Sequence, residues 1–167
     1  MAVFISLGSN MGDGAAHIAQ ALAAIDALDG VRVVRVSPYY RTEPQGYKEQ
    51  PWFTNAVAML DCDAHWTPCA LVRALLDVEA AQGRVRSTDP ALRYGPRCID
   101  LDLLLFDAVV NTDPACTVPH PRLAERAFVL VPLRDIAPEV IVAPDLTARE
   151  ALRRVPHTVR GDAIYQA

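Results

Sequence analysis

Long apolar runs are missing from this chain. No stretch approaches the roughly 20 residues that a membrane span needs, and the N-terminus lacks the basic and then apolar pattern of a signal peptide. Cysteine is sparse, and the four present (Cys62, Cys69, Cys98, Cys116) form no Cys-x-x-Cys pair and no zinc spacing. Zinc modules are thereby excluded, and reduced, mostly buried thiols in a cytoplasmic protein are expected. Aromatic residues amount to only 7%, so Ala, Val and Leu must fill most of the core. Positive charge is not in excess either. A formal net charge of −4 argues against an extended nucleic-acid footprint. Internal repeats and low-complexity tracts are absent. What remains is a chain of 167 residues, 51% of them apolar, which suits one domain over residues 1–167.

The most informative stretch runs from Arg93 to Phe106 and passes from a cationic loop into an apolar strand. Strand side chains alternate between faces, so Ile99, Leu101 and Leu103 share one face and Asp100 and Asp102 the other. Two strand steps put those carboxylates about 6–7 Å apart. So close, each disfavours the other's ionisation unless a cation intervenes, and hard divalent cations take such oxygens. Immediately upstream stand Arg84, Arg86, Arg93 and Arg97, whose guanidinium forks match phosphate oxygens in charge and geometry. Carboxylates for metal beside arginines for phosphate are what a magnesium–polyphosphate complex requires. The alternative is a solvated strand face with arginines that keep a loop soluble. Against it stands the strand's apolar character, since charge buried there needs compensation.

The rest of the chain supplies a frame. Val3–Leu7 reads as a buried strand entering the turn Gly8–Gly14, which lacks the lysine and hydroxyl of a P-loop and is either structural or a mobile loop. Ile18, Leu22, Ile25 and Leu28 mark an amphipathic helix over about 15–28, closed by Gly30. Val31–Ser37 is a second strand, residues 41–51 a polar loop, and Trp52–Leu60 a third strand. On that strand Phe53, Asn55, Val57 and Met59 share a face, and Asn55, an amide in an apolar row, is either a strand-end cap or a ligand group. Thr67-Pro68 opens a second helix lined by Leu71, Leu75, Val78 and Leu76. The order strand, helix, strand, strand, helix, strand predicts an α+β, ferredoxin-like βαββαβ core: an antiparallel sheet with helices packed on one face, plus C-terminal helices. A last short strand is expected near Val109–Val110, and a short helix between Arg122 and Leu130. The capping box Thr147-Ala148-Arg149-Glu150 starts a final helix over 148–154.

Taken together, Gly8-Ser9-Asn10, Arg41-Thr42, Gly83-Arg84-Val85-Arg86, Gly95-Pro96-Arg97, Asp100-Leu101-Asp102, Val118-Pro119-His120, Arg126-Ala127-Phe128 and Pro132-Leu133 resemble, in order, the 6-hydroxymethyl-7,8-dihydropterin pyrophosphokinases of folate biosynthesis. The resemblance spans roughly residues 3–140. It implies transfer of the β,γ-diphosphate of ATP to the hydroxymethyl group of a reduced pterin, with release of AMP. It also implies two Mg²⁺ ions held by Asp100 and Asp102, and contacts from Arg84, Arg97 and His120 to the triphosphate, with Arg86 and Arg126 in support. Glu79 and the backbone near Leu103 and Thr117 would lie near the nucleoside. Phe53 and Phe128 would sandwich the pterin, Asn55 with Thr42 and Gln45 would read its edge, and Tyr94 would sit on a closing loop. ATP and a reduced pterin are the expected partners, with no nucleic acid, membrane or obligate protein partner. Tyr94 stands where the family commonly has tryptophan and Cys98 where threonine is usual, and the loop 87–92 is longer than usual. Two other classes fit part of the pattern: another two-metal phosphoryl or nucleotidyl transferase, and a non-catalytic ligand-binding module. Neither requires Phe53, Asn55, His120 and Phe128 together.

Overall fold

Two central strands, β1 (Ala2–Ser9) and β4 (Phe53–Cys62), carry apolar side chains on both faces, so the sheet they form must be covered on both sides. The computed structural model describes residues 1–166. β1 pairs antiparallel with β4 in unbroken register from Ala2↔Asp61 to Ser9↔Thr54. On its other edge it pairs antiparallel with β5 (Asp100–Phe106). The far edge of β4 receives two successive segments, β2 (Val31–Val36) and β3 (Tyr40–Thr42). Between them Ser37 turns the chain, its hydroxyl accepting from the Val57 N–H and donating to the Pro38 carbonyl.

Helix α1 (Gly14–Asp26) is capped by Asp13, whose side chain accepts from the Ala16 N–H, and α2 (Pro68–Ala81) by Thr67, which accepts from the Ala70 N–H. Both bury their apolar stripes (Ile18, Ala21, Ile25; Leu71, Leu75, Val78) against Val3, Ile5, Leu7, Ala58 and Leu60. The opposite face packs on α3 (Ala127–Ile136) and α4 (Ala148–Arg154), with Phe4, Val57 and Leu104 meeting Leu130, Leu133 and Leu152. Helices thus cover both faces of the sheet, not one. The expectation of one covered face missed Phe4, Val57 and Leu104, which turn away from the first core and need a second.

The C-terminal part departs further. Val109 and Val110 form no strand; instead Asn111 and Val118 make an isolated bridge across a loop. The helix expected to end at Leu130 continues to Ile136. After a small ribbon of β6 (Ile141–Ala143) and β7 (Leu146–Thr147), the capping box at Thr147 and Glu150 starts α4 as the spacing predicts. A hairpin, β8 (His157–Arg160) and β9 (Ala163–Gln166), then joins the main sheet, β9 running parallel to β3. The order is β5-β1-β4-β3-β9-β8, with β2 also on β4. No helix among the described residues is long and apolar enough to cross a membrane.

The expected set of four reduced thiols is also corrected. Cys69 in the first turn of α2 and Cys116 in the loop before Thr117 are disulfide-bonded, their Cα atoms 5.0 Å apart, while Cys62 and Cys98 are free. They stand 47 residues apart, so local spacing carried no sign of the pairing.

Leu76, expected on the buried side of α2, is 38% exposed, whereas Leu71 is fully buried. Leu71→Ala is therefore expected to lower unfolding free energy by about 2–5 kcal/mol. Leu76→Ala should stay within about 0.5–1 kcal/mol of the parent. Urea unfolding of the two variants checks the orientation of the helix.

Candidate active site

The carboxylates of β5 emerge beside a cavity of about 510 Å³ whose walls include residues of β1, β3, β4 and β5. Leu101 and Leu103 turn into the first core, and this alternation leaves Asp100 and Asp102 facing the cavity, as the strand pattern predicts. The strand also carries a bulge: Ile5 opposes Leu103 but Phe4 opposes Leu105. Leu104 lies between these pairs, and its carbonyl accepts from the backbone N–H of His120 at 2.8 Å. A break in the sheet register thus anchors a residue of the cavity wall.

Asp100 is gripped from two sides. Arg84 Nη1 lies 2.5 Å from Oδ1 and Arg97 Nη1 lies 2.7 Å from Oδ2. Arg84 is itself held by Glu79, whose Oε1 accepts at 3.0 Å and also takes the Leu101 N–H at 2.8 Å. The other Glu79 oxygen accepts from Arg86 at 2.6 Å. Glu79 is only 1% exposed and sits behind the arginines rather than in the cavity. Its partners in this structure are therefore Arg84, Arg86 and a strand amide. Burial alone would raise the pKa of Asp100, but Arg84 and then Arg97 outweigh it and hold the group below the ordinary carboxylate range.

Asp102 has no such grip; its nearest cation is Arg126, 4.0 Å away. Burial, and then the charge of Asp100, push its pKa up to about 6 against the pull of Arg126. A neighbouring pair with one carboxylate neutralised by arginine and the other under-compensated suits a hard cation: Mg²⁺ takes one or two protein carboxylates and completes its shell with water and phosphate oxygens.

The cavity also carries aromatic and amide groups. Phe53 and Phe128 line it, and guanidinium groups lie near both rings, Arg97 at 5.4 Å from the Phe53 centroid and Arg126 at 5.6 Å from that of Phe128. Asn55 is 9% exposed and donates its amide N–H to the hydroxyl of Thr42. Its Oδ1 lies where a side chain on Gly8 would be, only 2.6 Å from an ideal Cβ. Glycine at position 8 thus makes room for the amide. Gln45 and Tyr94 line the same cavity, as do Arg86 and His120. Leu103 and Thr117 do not: Leu103 is 5% exposed in the first core, and the Thr117 hydroxyl donates to the Asp113 carbonyl.

Asn10 was legible as a turn residue and as part of the Gly8-Ser9-Asn10 block, but not in its role, which is to tie three loops together. Its Oδ1 accepts from the Arg97 N–H at 2.8 Å, while its Nδ2 donates to Gln50 Oε1 at 2.9 Å and to the Pro51 carbonyl at 3.0 Å. Gln50 in turn donates to the Tyr94 carbonyl. Arg122, also missed, lines the cavity, and its backbone N–H is donated to His120 Nδ1 at 3.1 Å. With Nδ1 accepting, the proton of the neutral ring sits on Nε2. Burial, followed by Arg126 and Arg122, lowers the pKa of His120 to about 4, so the ring is a neutral donor at pH 7.

A family profile described as 7,8-dihydro-6-hydroxymethylpterin-pyrophosphokinase matches residues 4–138. The chain is 43% identical over 152 residues to a 2-amino-4-hydroxy-6-hydroxymethyldihydropteridine pyrophosphokinase of Methylorubrum extorquens, covering 91% of this chain and 92% of that one. It is 41% identical over 162 residues to the Pseudomonas aeruginosa protein of the same name, covering 92% and 96%. Among solved structures, the HPPK-DHPS of Plasmodium falciparum superposes with a TM-score of 0.68 at 14% identity. That match covers 98% of this chain and 48% of the other, so the present chain spans about half of that larger protein.

The low pKa of His120 has a measurable consequence. Between pH 6.5 and about 4 the unfolded chain binds a proton that folded His120 refuses. His120 therefore imposes a penalty on stability that grows as pH falls through that window and is absent above it. In denaturant unfolding, the drop in stability from pH 7 to pH 4.5 is expected to be smaller for His120→Gln than for the parent. An equal drop in both would mean that the ring titrates normally.

Proposed function

The chain belongs to the 7,8-dihydro-6-hydroxymethylpterin-pyrophosphokinase family, and on that premise we propose how its cavity divides the work. The protein transfers the diphosphate of ATP to 6-hydroxymethyl-7,8-dihydropterin in folate biosynthesis. In our reading the charged end of the cavity receives the triphosphate and the Phe53–Phe128 end receives the pterin. Asp100 and Asp102 would hold two Mg²⁺ ions, which when bound supply positive charge to the phosphate oxygens. The observation that carries this reading is the joint placement of Asp100 and Asp102, six arginines, two phenylalanines and one buried amide around a single cavity.

Each group then has work that its chemistry suits. Diphosphoryl transfer asks little covalent chemistry of a protein; orientation and charge neutralisation dominate. Arg84 and Arg97, paired with Asp100 before nucleotide arrives, are placed to turn their forks toward the phosphates, with Arg86 and Arg126 adding positive charge. Neutral His120 offers its Nε2–H as a donor without a change of protonation. Phe53 and Phe128 bury the faces of a flat ring, and Asn55, fixed by Thr42, meets its donor–acceptor edge, with the backbone near Gln45 beside it. Glu79 acts through Arg84 and Arg86, and the backbone near Leu103 and Thr117 is left for the nucleoside. Tyr94, on the loop tied to Gln50, would help to shut the cavity and exclude water, which would otherwise hydrolyse the nucleotide.

We further read residues 1–167 as one pyrophosphokinase domain that works in the cytoplasm without an obligate protein partner. The strand sequence β5-β1-β4-β2, antiparallel throughout, supports a ferredoxin-like βαββαβ core to which α3, α4 and the C-terminal hairpin are additions.

Two outcomes follow. Incubation with Mg-ATP and the hydroxymethyl dihydropterin should yield AMP; ADP would indicate transfer of a single phosphoryl group. Asp100→Asn and Asp102→Asn should each lower turnover by roughly three orders of magnitude, since metal-based charge stabilisation is worth several kcal/mol. A near-parental rate in either variant would overturn the metal assignment.

A further inference from the structure

The last strand touches β3, the residue that precedes β4 and the start of α3, the elements next to Asn55, Phe53 and Phe128. β9 lies parallel to β3, with Thr42 opposite Ile164, and Thr42 is the residue that fixes the Asn55 amide. Ile164 is 1% exposed and belongs to the second core beside Val57 and Leu130, so the strand is firmly seated. The next residue, Tyr165, meets the ring of Trp52 edge-on, the centroids 5.4 Å apart, and Trp52 immediately precedes Phe53. Gln166 then reaches the start of α3. Its Oε1 accepts from the Ala127 N–H at 2.7 Å and its Nε2 donates to the Glu125 carbonyl at 2.7 Å.

The first of these two bonds stands in for a missing cap. α3 begins after Arg126, which makes no side-chain capping bond, so the first amides of the helix need an acceptor from elsewhere. One glutamine amide satisfies two backbone groups that flank Arg126, and Phe128 follows within the same turn. The hairpin lies beyond residues 4–138, the part that the family profile matches.

We propose that β8–β9 is a positioning element for the ring slot, in which Tyr165 and Gln166, acting through Trp52 and the first turn of α3, set the places of Phe53 and Phe128. This rests on the reading of that slot as the pterin site. Gln166 touches no substrate in this account; it is a positioning residue. A small shift of the α3 start is absorbed by the long side chain of Arg126, which Asp102 and the Phe128 ring also engage. The Phe128 ring has two side-chain torsions and follows its backbone. Loss of Gln166 is therefore felt at the pterin rather than at the nucleotide.

The test is equilibrium binding of 6-hydroxymethyl-7,8-dihydropterin in the presence of Mg²⁺ and a non-hydrolysable ATP analogue, with the analogue's own affinity measured alongside. Gln166→Ala is expected to raise the Kd of the pterin by about tenfold, for two lost neutral hydrogen bonds, and to leave that of the analogue unchanged. In turnover, KM should rise for the pterin and not for ATP. If Gln166→Ala does not fold, as lost analogue binding would reveal, Gln166→Asn, one methylene shorter, is read by the same criteria. Equal weakening of both ligands in the folded variant, or of neither, overturns the proposal. Phe53→Ala separates the two levels. If it weakens the pterin while the Gln166 variants do not, only the role of the hairpin falls. If Phe53→Ala has no effect, the slot reading falls and the hairpin role with it.

Discussion

One carboxylate between two guanidinium groups organises the charged half of this protein. Asp100 stands on a strand packed into the core, and without compensation its charge would be costly there. Arg84 and Arg97 supply that compensation at 2.5 and 2.7 Å, and Glu79 holds Arg84 from behind. The network ties both ends of the connection between α2 and β5 to the strand, and leaves Asp102, two residues on, with Arg126 at 4.0 Å as its nearest cation. The site is electrostatically complete around Asp100 and incomplete around Asp102. Such an imbalance suits the proposed binding of metal ions together with a polyanion.

The neutral half depends on a different constraint, space. Gly8 leaves room for Asn55, Thr42 fixes the amide, and the phenylalanines come from the start of β4 and the first turn of α3. Placement of the aromatic pair therefore depends on elements far apart in the chain, including the terminal hairpin. Charge determines one end of the cavity and packing the other. A reaction that joins a charged nucleotide to a flat heterocycle needs both.

Much of this was legible in the sequence wherever the signal is local. Alternation on β5 separated Asp100 and Asp102 from Ile99, Leu101 and Leu103, and the cap residues Thr67 and Thr147 marked two helix starts. Relations between distant segments were not. The face that receives α3 and α4 is signalled only by Phe4, Val57 and Leu104 pointing the other way, which looks like ordinary strand hydrophobicity until the sheet is assembled. β3 is three residues long, too short for a periodic pattern, and β9 gains its meaning from its partner strand. Asn10 showed as a turn residue because an amide that joins three loops has no spacing to betray it. The Cys69–Cys116 pairing was hidden for the same reason, and the bulge that sets His120 is a property of register, not of composition.

The claim on which the account rests is that Asp100 and Asp102 face the phosphates through metal ions, with Arg84 and Arg97 exchanging carboxylate for phosphate as the nucleotide binds. A crystal structure with Mg²⁺ and a non-hydrolysable ATP analogue tests it directly. The account predicts density for metal between these aspartates and the triphosphate, with the forks of Arg84 and Arg97 on phosphate oxygens. A triphosphate bound elsewhere, with Asp100 still clasped by both arginines, would contradict it.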